Sequence, residues 1–190
     1  MKRSQTQIMV ECAMLIAFAT VLGFIPAYEM PQGGSVTVGG MAPLVIASLR
    51  HGKRWGLRTG LTYGIIQSIL PRGIRNVLYA ATLPAQLGVI LLDYIVAYTL
   101  IGFACVFAAW FKNRTAGACA GAAVTGFLRY ICHFISGILI WGGWAPEGTP
   151  VWIHSVTYNA AYMIPETIIT VVTVGAVVKL FEKKLFAAPV

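Results

Sequence analysis

Of the 190 residues, 58% are hydrophobic and only 11% charged. Soluble globular domains carry about a quarter charged residues, so an ordinary water-soluble fold is excluded and an integral membrane protein is indicated. The net charge of +8 does not signal nucleic-acid binding, because the basic residues stand in short clusters between apolar runs, where they read as topological charge.

A membrane-crossing helix needs about 20 apolar residues, and the first such run covers 8–27. It follows Lys2 and Arg3 as a signal peptide would, but no small-residue cleavage site follows and further apolar runs do, so a retained helix is expected. Ala13 and Ala17, four apart, form a small-residue stripe that another helix can approach closely; ordinary intramolecular packing accounts for that spacing equally well. Tyr28 to Ser35, with Gln32, Gly33 and Gly34, reads as a turn-rich loop. The run 36–49 is interrupted by Gly39, Gly40 and Pro43 and is short for a full crossing, which predicts a tilted or broken helix.

A basic loop follows with Arg50, Lys53, Arg54 and Arg58. The next helix, over 56–71, repeats glycine at Gly56, Gly60 and Gly64, a face suited to close packing. Arg72 to Tyr79 reads as a basic connector at the membrane interface. Helices are predicted over 84–110, 116–141 and 152–178, with a loop rich in Gly, Pro and Trp over 142–150. Cys12, Cys105, Cys119 and Cys132 lie in apolar stretches without a C-x-x-C pair, so neither a zinc site nor a disulfide framework is expected. The predicted fold class is an all-α integral membrane protein, one six-helix domain over 1–190.

With the N-terminus inside, Lys2, Arg3, Arg50, Lys53, Arg54, Arg58, Lys112, Arg114, Lys179, Lys183 and Lys184 face the cytoplasm, Arg72 and Arg75 lie outside and Arg129 is within a helix. That bias obeys the positive-inside rule and predicts both termini in the cytoplasm. The 28–35 and 142–150 loops then share the outer face.

Ionisable groups within a bilayer cost a few kcal/mol each and turn toward a bundle interior or cavity. Arg129, His133 and Ser136 fall on one stripe of the fifth helix, with Trp141 at its outer end. Ser155, Asn159, Tyr162 and Glu166 form a stripe on the sixth, and Gln86 with Asp93, the single aspartate, one on the fourth. Each has a structural explanation as well. Asp93 could pair with Arg129 as a buried bridge, His133 could bond between helices, and Trp141, Trp144 and Trp152 could be an aromatic belt. Tyr94 and Tyr158 could be packing residues, and Glu166 could satisfy backbone groups freed by Pro165.

No G-x-x-x-x-G-K-[ST] loop is present, so ATP is not hydrolysed here in the P-loop manner, and neither H-E-x-x-H nor G-x-S-x-G occurs. An outer-leaflet pocket with a carboxylate and aromatic walls suits an organic cation or an aromatic heterocycle.

The run His133 to Ile138, then Trp144 to Trp152, then Ser155 to Glu166 resembles the thiamine-specific substrate-binding subunits (S components) of energy-coupling factor transporters. Pro31 to Ser35, Ser48 to Gly52 and Leu91 to Tyr94 match in the same order, so the resemblance covers nearly the whole chain. It implies a six-helix subunit of a bacterial cell membrane that binds thiamine from outside. It also implies a transmembrane coupling subunit and two cytoplasmic ATPases as partners, with no cofactor and no enzymatic activity. The family's alanine stripe on the first helix maps onto Ala13 and Ala17 as the coupling surface. Its pocket maps onto Asp93, Tyr94, Arg129, His133, Trp141 and Asn159.

On physical grounds Asp93 is then expected to meet the thiazolium charge or the aminopyrimidine. His133 and Asn159 are expected at the pyrimidine edge, Trp141 as a stacking partner and Arg129 as the group that orients the acid. Aspartate stands at 93 where some members carry glutamate, and His154 where some carry tyrosine. Three other readings stay open: a subunit for a precursor such as hydroxymethylpyrimidine, an ion-driven transporter acting alone, and a small intramembrane enzyme using Asp93 and His133.

Overall fold

In the computed structural model the described residues are 4–31 and 33–186. Lys2 and Arg3 of the basic N-terminus and Gln32 of the glycine turn lie outside them. Helix α1, Gln5–Gly23, starts at a capping box in which Gln7 N–H donates to Ser4 Oγ and Ser4 N–H to Gln7 Oε1, satisfying two of the free donors of a first helical turn. Only Cys12 and Ala19 of α1 are buried, while Met14, Phe18 and Val21 are exposed. A helix apolar on nearly every face has lipid as its solvent.

Where the sequence predicts a helix from Val36, the chain instead forms an antiparallel hairpin of β1, Pro26–Glu29, and β2, Ser35–Thr37. The turn between them places Gly33 and Gly34 at φ of 95° and 90°, a region other residues seldom enter. Helix α2, Ala42–Ile69, begins only after this hairpin, and at the expected basic loop it doubles back, so that a Cβ at Gly56 would lie 2.8 Å from that of Ser48. Its one interruption is Gly52, at φ 79° and ψ 176°, which joins a short arm, 42–51, to a longer one, 53–69.

Helix α3, Pro71–Tyr79, replaces the expected connector, with proline at its first position, where the missing N–H costs nothing. The fourth predicted helix is α4, Leu83–Ala108, and it is not a regular α-helix. It contains a π-helical segment, Ile90–Val96, and a 3-10 segment, Leu100–Phe103. Ser48 repairs the second irregularity: Cys105 N–H donates to Ser48 Oγ at 3.1 Å, and Ser48 Oγ–H donates to the Gly102 carbonyl at 2.7 Å. Helix α5, Arg114–Leu139, is capped by Asn113, and α6, Val151–Leu185, continues through Pro165.

The packing follows the glycine pattern read from the sequence. A Cβ at Gly60 would lie 2.3 Å from the Tyr98 carbonyl and one at Gly64 2.7 Å from that of Tyr94, while Gly117 and Gly121 bring α5 equally close to Ala108 and Ala104. Small residues therefore let α4 pack backbone to backbone between α2 and α5. Leu44, Val45, Ile101, Val174 and Val178 form a buried apolar cluster; the cavity described next lies toward the hairpin. Four helices, α1, α4, α5 and α6, are long and apolar enough to cross a membrane. The cysteines among the described residues are free thiols.

Candidate functional site: a polar cavity beneath the hairpin

The carboxylate of Asp93 gathers side chains from two elements. It sits in the π segment of α4, where a widened turn interrupts the regular helical ladder, a feature frequent at functional sites. Its Oδ1 is 2.9 Å from His133 Nδ1, and its Oδ2 accepts from Ser136 Oγ at 2.8 Å and from Trp141 Nε1 at 3.3 Å. His133 and Ser136 are buried on α5. Trp141, predicted to end that helix, lies just past it and precedes a 3-10 turn over Gly142–Trp144. Among the described residues no lysine or arginine pairs with Asp93.

Arg129 does not orient the acid, and the buried bridge weighed above does not form. Its Nη2 donates to Tyr98 O–H at 3.1 Å, its Nη1 lies 2.7 Å from Met41 Sδ, and its Cζ stands 4.5 Å from the Tyr98 ring centre. The guanidinium is thus held mainly by an aromatic face, a cation–π arrangement strengthened by desolvation. Its Nε, like His133 Nε2, is a buried atom with no hydrogen-bond partner among the described residues.

Asn159 is a wall whose polar atoms are already engaged. Its Nδ2 donates to the carbonyls of Ser155 at 2.8 Å and His133 at 3.2 Å, and its Oδ1 accepts from Tyr162 O–H at 2.8 Å. Glycine permits this close seam between α5 and α6, since a Cβ at Gly137 would lie 2.1 Å from Ser155 Oγ. Glu166 does not serve backbone groups freed by Pro165. Its carboxylate accepts from both N–H and Oγ1–H of Thr37, the latter at 2.7 Å, and so ties the end of β2 to α6.

All six site residues predicted from sequence, Asp93, Tyr94, Arg129, His133, Trp141 and Asn159, line one cavity. About 130 Å³ of it is open to the centre of a water molecule, roughly ten times the 10–15 Å³ that holds one water. Sequence reasoning missed Arg72 and Asn76 of α3, Tyr98, and the hairpin residues Gly33, Gly34 and Ser35, which also line it. The i, i+4 spacing of Arg72 and Asn76 was the one signal available for the first two. Ala13 and Ala17 take no part in the cavity and are exposed along α1. No His, Cys, Asp and Glu cluster among the described residues has metal-binding geometry.

These features define a class: a helical membrane protein with a roofed polar cavity sized for a small organic ligand. Residues 9–186 match the family model described as thiamine transporter protein. The chain belongs to the thiamine transporter protein family. It is 38% identical over 172 residues to the thiamine transporter ThiT of Bacillus subtilis, covering 85% of this chain and 84% of that one. It is 30% identical to the thiamine transporter ThiT of Lacticaseibacillus paracasei, covering 98% and 94%. A solved structure of ThiT from Listeria monocytogenes superimposes with a TM-score of 0.78 at 24% identity, over 97% of this chain and all of that one, and so shares its fold.

Proposed function

We propose that this chain is the thiamine-binding subunit of an energy-coupling factor transporter, capturing thiamine on the outer face of a bacterial cell membrane. The observation that carries this reading is Asp93: a carboxylate within apolar sequence, held by an imidazole, a hydroxyl and an indole and by no lysine or arginine among the described residues. A largely enclosed anion, its side chain 13% exposed and held by hydrogen bonds, lacks the full counter-charge that offsets desolvation. The thiazolium of thiamine supplies it. Trp141, with its N–H on Asp93, presents its ring beside that charge, where stacking and cation–π attraction add to it. His133 lines the cavity beside Asp93, on the side given to the aminopyrimidine, while Asn159, its donors engaged, braces His133 through the His133 carbonyl. Tyr94 and Arg129 complete the wall.

In this reading the chain crosses the membrane six times with both termini in the cytoplasm. The two arms of α2 count as two crossings, the first, about 15 Å long at 1.5 Å per residue, completed by the segment leading from β2. Ala13 and Ala17 form the surface for a transmembrane coupling subunit, and two cytoplasmic ATPases supply the energy this chain cannot. The exposure of both alanines on a helix that buries little else supports that surface. Purified protein titrated with thiamine, followed by tryptophan fluorescence, is expected to saturate below micromolar concentration, with the isolated pyrimidine competing only weakly. Absence of thiamine binding at micromolar concentration sinks the reading.

A further inference from the structure

The cavity has a roof as well as walls, and a single guanidinium holds both edges of it. Arg72 Nη2 pairs with the carboxylate of Glu29, the last residue of β1. Its Nη1 donates to the Gly23 carbonyl at 3.1 Å, where α1 ends, and to Ser35 Oγ at 3.5 Å, where β2 begins. One turn further along α3, on the same face, Asn76 supports the hairpin turn. A Cβ at Gly33 would lie 3.1 Å from Asn76 Nδ2, and that amide donates to the Tyr94 hydroxyl at 3.1 Å. Helix α3 is a firm base, because Gly73 lies so close to α2 that a Cβ there would be 1.9 Å from the Gln67 carbonyl.

The attachments of the hairpin differ in kind. On the α6 side they are well enclosed: Thr37 on Glu166, Gly34 against the Tyr162 ring, and Tyr158 O–H donating to the Gly33 carbonyl at 2.9 Å. On the α3 side the Arg72 and Glu29 side chains keep 31% and 44% of their surface. Ion pairs that solvent reaches are weak and open readily. Strand β1 is exposed along its length whereas β2 is mostly buried. The edge that lifts first is therefore the one Arg72 holds.

Resting on the thiamine reading, we infer that Arg72 is a positioning residue, a latch that keeps the hairpin shut over a bound ligand and so sets how fast the ligand leaves. Its Nη groups are engaged by Glu29, Ser35 and the Gly23 carbonyl, so it acts through the hairpin although its side chain borders the cavity. Asn76 connects the latch helix to Tyr94, so the seat of the roof and the cavity wall are one hydrogen-bonded unit.

Stopped-flow tryptophan fluorescence with thiamine separates the two rate constants. Arg72→Gln is expected to raise the dissociation rate roughly three- to tenfold while the association rate changes less than about twofold, the usual partition when contacts that retain a ligand are lost. Glu29→Gln is expected to act in the same direction. Arg72→Lys keeps the ion pair but cannot also reach Gly23 and Ser35, and its dissociation rate falls between. A dissociation rate in Arg72→Gln within twofold of the parent overturns the latch. Hydrogen exchange on the ligand-free protein gives a second readout: Arg72→Gln speeds exchange of hairpin amides over 26–35 and leaves α5 and α6 unchanged. Unchanged hairpin exchange overturns the latch whether or not thiamine binds, whereas failure of the parent to bind thiamine sinks only the proposed function.

Discussion

At the scale of residues, the site is a set of polar atoms sorted by what remains for them to do. Ser136 and Trp141 spend their donors on Asp93, Asn159 spends its own on α5 and α6, and Glu166 accepts from the hairpin. Asp93 has no lysine or arginine partner among the described residues, and His133 keeps an unpartnered nitrogen. Charge-assisted contacts are worth about 1.5–3 kcal/mol, so Asp93→Asn, isosteric and neutral, is expected to weaken thiamine roughly 10- to 100-fold. Isothermal titration of the purified variant checks this, and an affinity equal to the parent's would mean the carboxylate does not meet the thiazolium. The identities of these residues were legible in the sequence because polar side chains recur at helical spacing in apolar stretches. Their roles were not, because the sequence gives no distances: Arg129 faces Tyr98 instead of Asp93, and Glu166 belongs to Thr37.

At the scale of elements, glycine decides where helices touch and where one bends. The repeat Gly56, Gly60, Gly64 was legible as a packing face and proves to be the seam with α4. Gly52 was not legible as the joint of α2. The break itself was expected, as a basic loop from Arg50, but it is confined to a single residue whose φ of 79° and ψ of 176° suit glycine alone. A Cβ at Gly52 would meet nothing within 4 Å, so Gly52→Ala tests backbone strain without crowding. The expected loss is about 1–3 kcal/mol, a fall in the thermal midpoint in detergent of roughly 2–12 °C for a chain of this size. Gly143→Ala, equally uncrowded and not among the glycines at positive φ, is the matched control and should leave the midpoint in place. The 36–41 stretch was misjudged for a related reason: apolar residues followed by glycines fit a broken helix or a buried strand with similar ease, and pairing with β1 selected the strand.

At the scale of the whole molecule, the proposed function rests on two surfaces, the roofed cavity for the ligand and the exposed face of α1 for the proposed coupling subunit. Replacing Ala13 or Ala17 by tryptophan is expected to abolish uptake in cells that supply the coupling subunit and ATPases while leaving thiamine affinity of the purified chain unchanged. Loss of both together would mean the stripe serves folding alone. The orientation has its own test. Cysteines introduced at Lys53 and Glu147, in a variant without native cysteines, should react with a membrane-impermeant maleimide from opposite sides, Glu147 from outside. Labelling from one side overturns the six-crossing topology.

The sequence by itself determined the solvent and the helical class, because hydropathy is summed over many residues and survives any detail of packing. It also determined which residues were too polar for lipid. Only the tertiary structure decided which of these meet: a π turn placed Asp93 under His133, Ser136 and Trp141, a one-residue joint at Gly52 brought the hairpin back over the cavity, and α3 brought Arg72 to the roof. Contacts between residues dozens of positions apart depend on local bends and close approaches that no periodicity records.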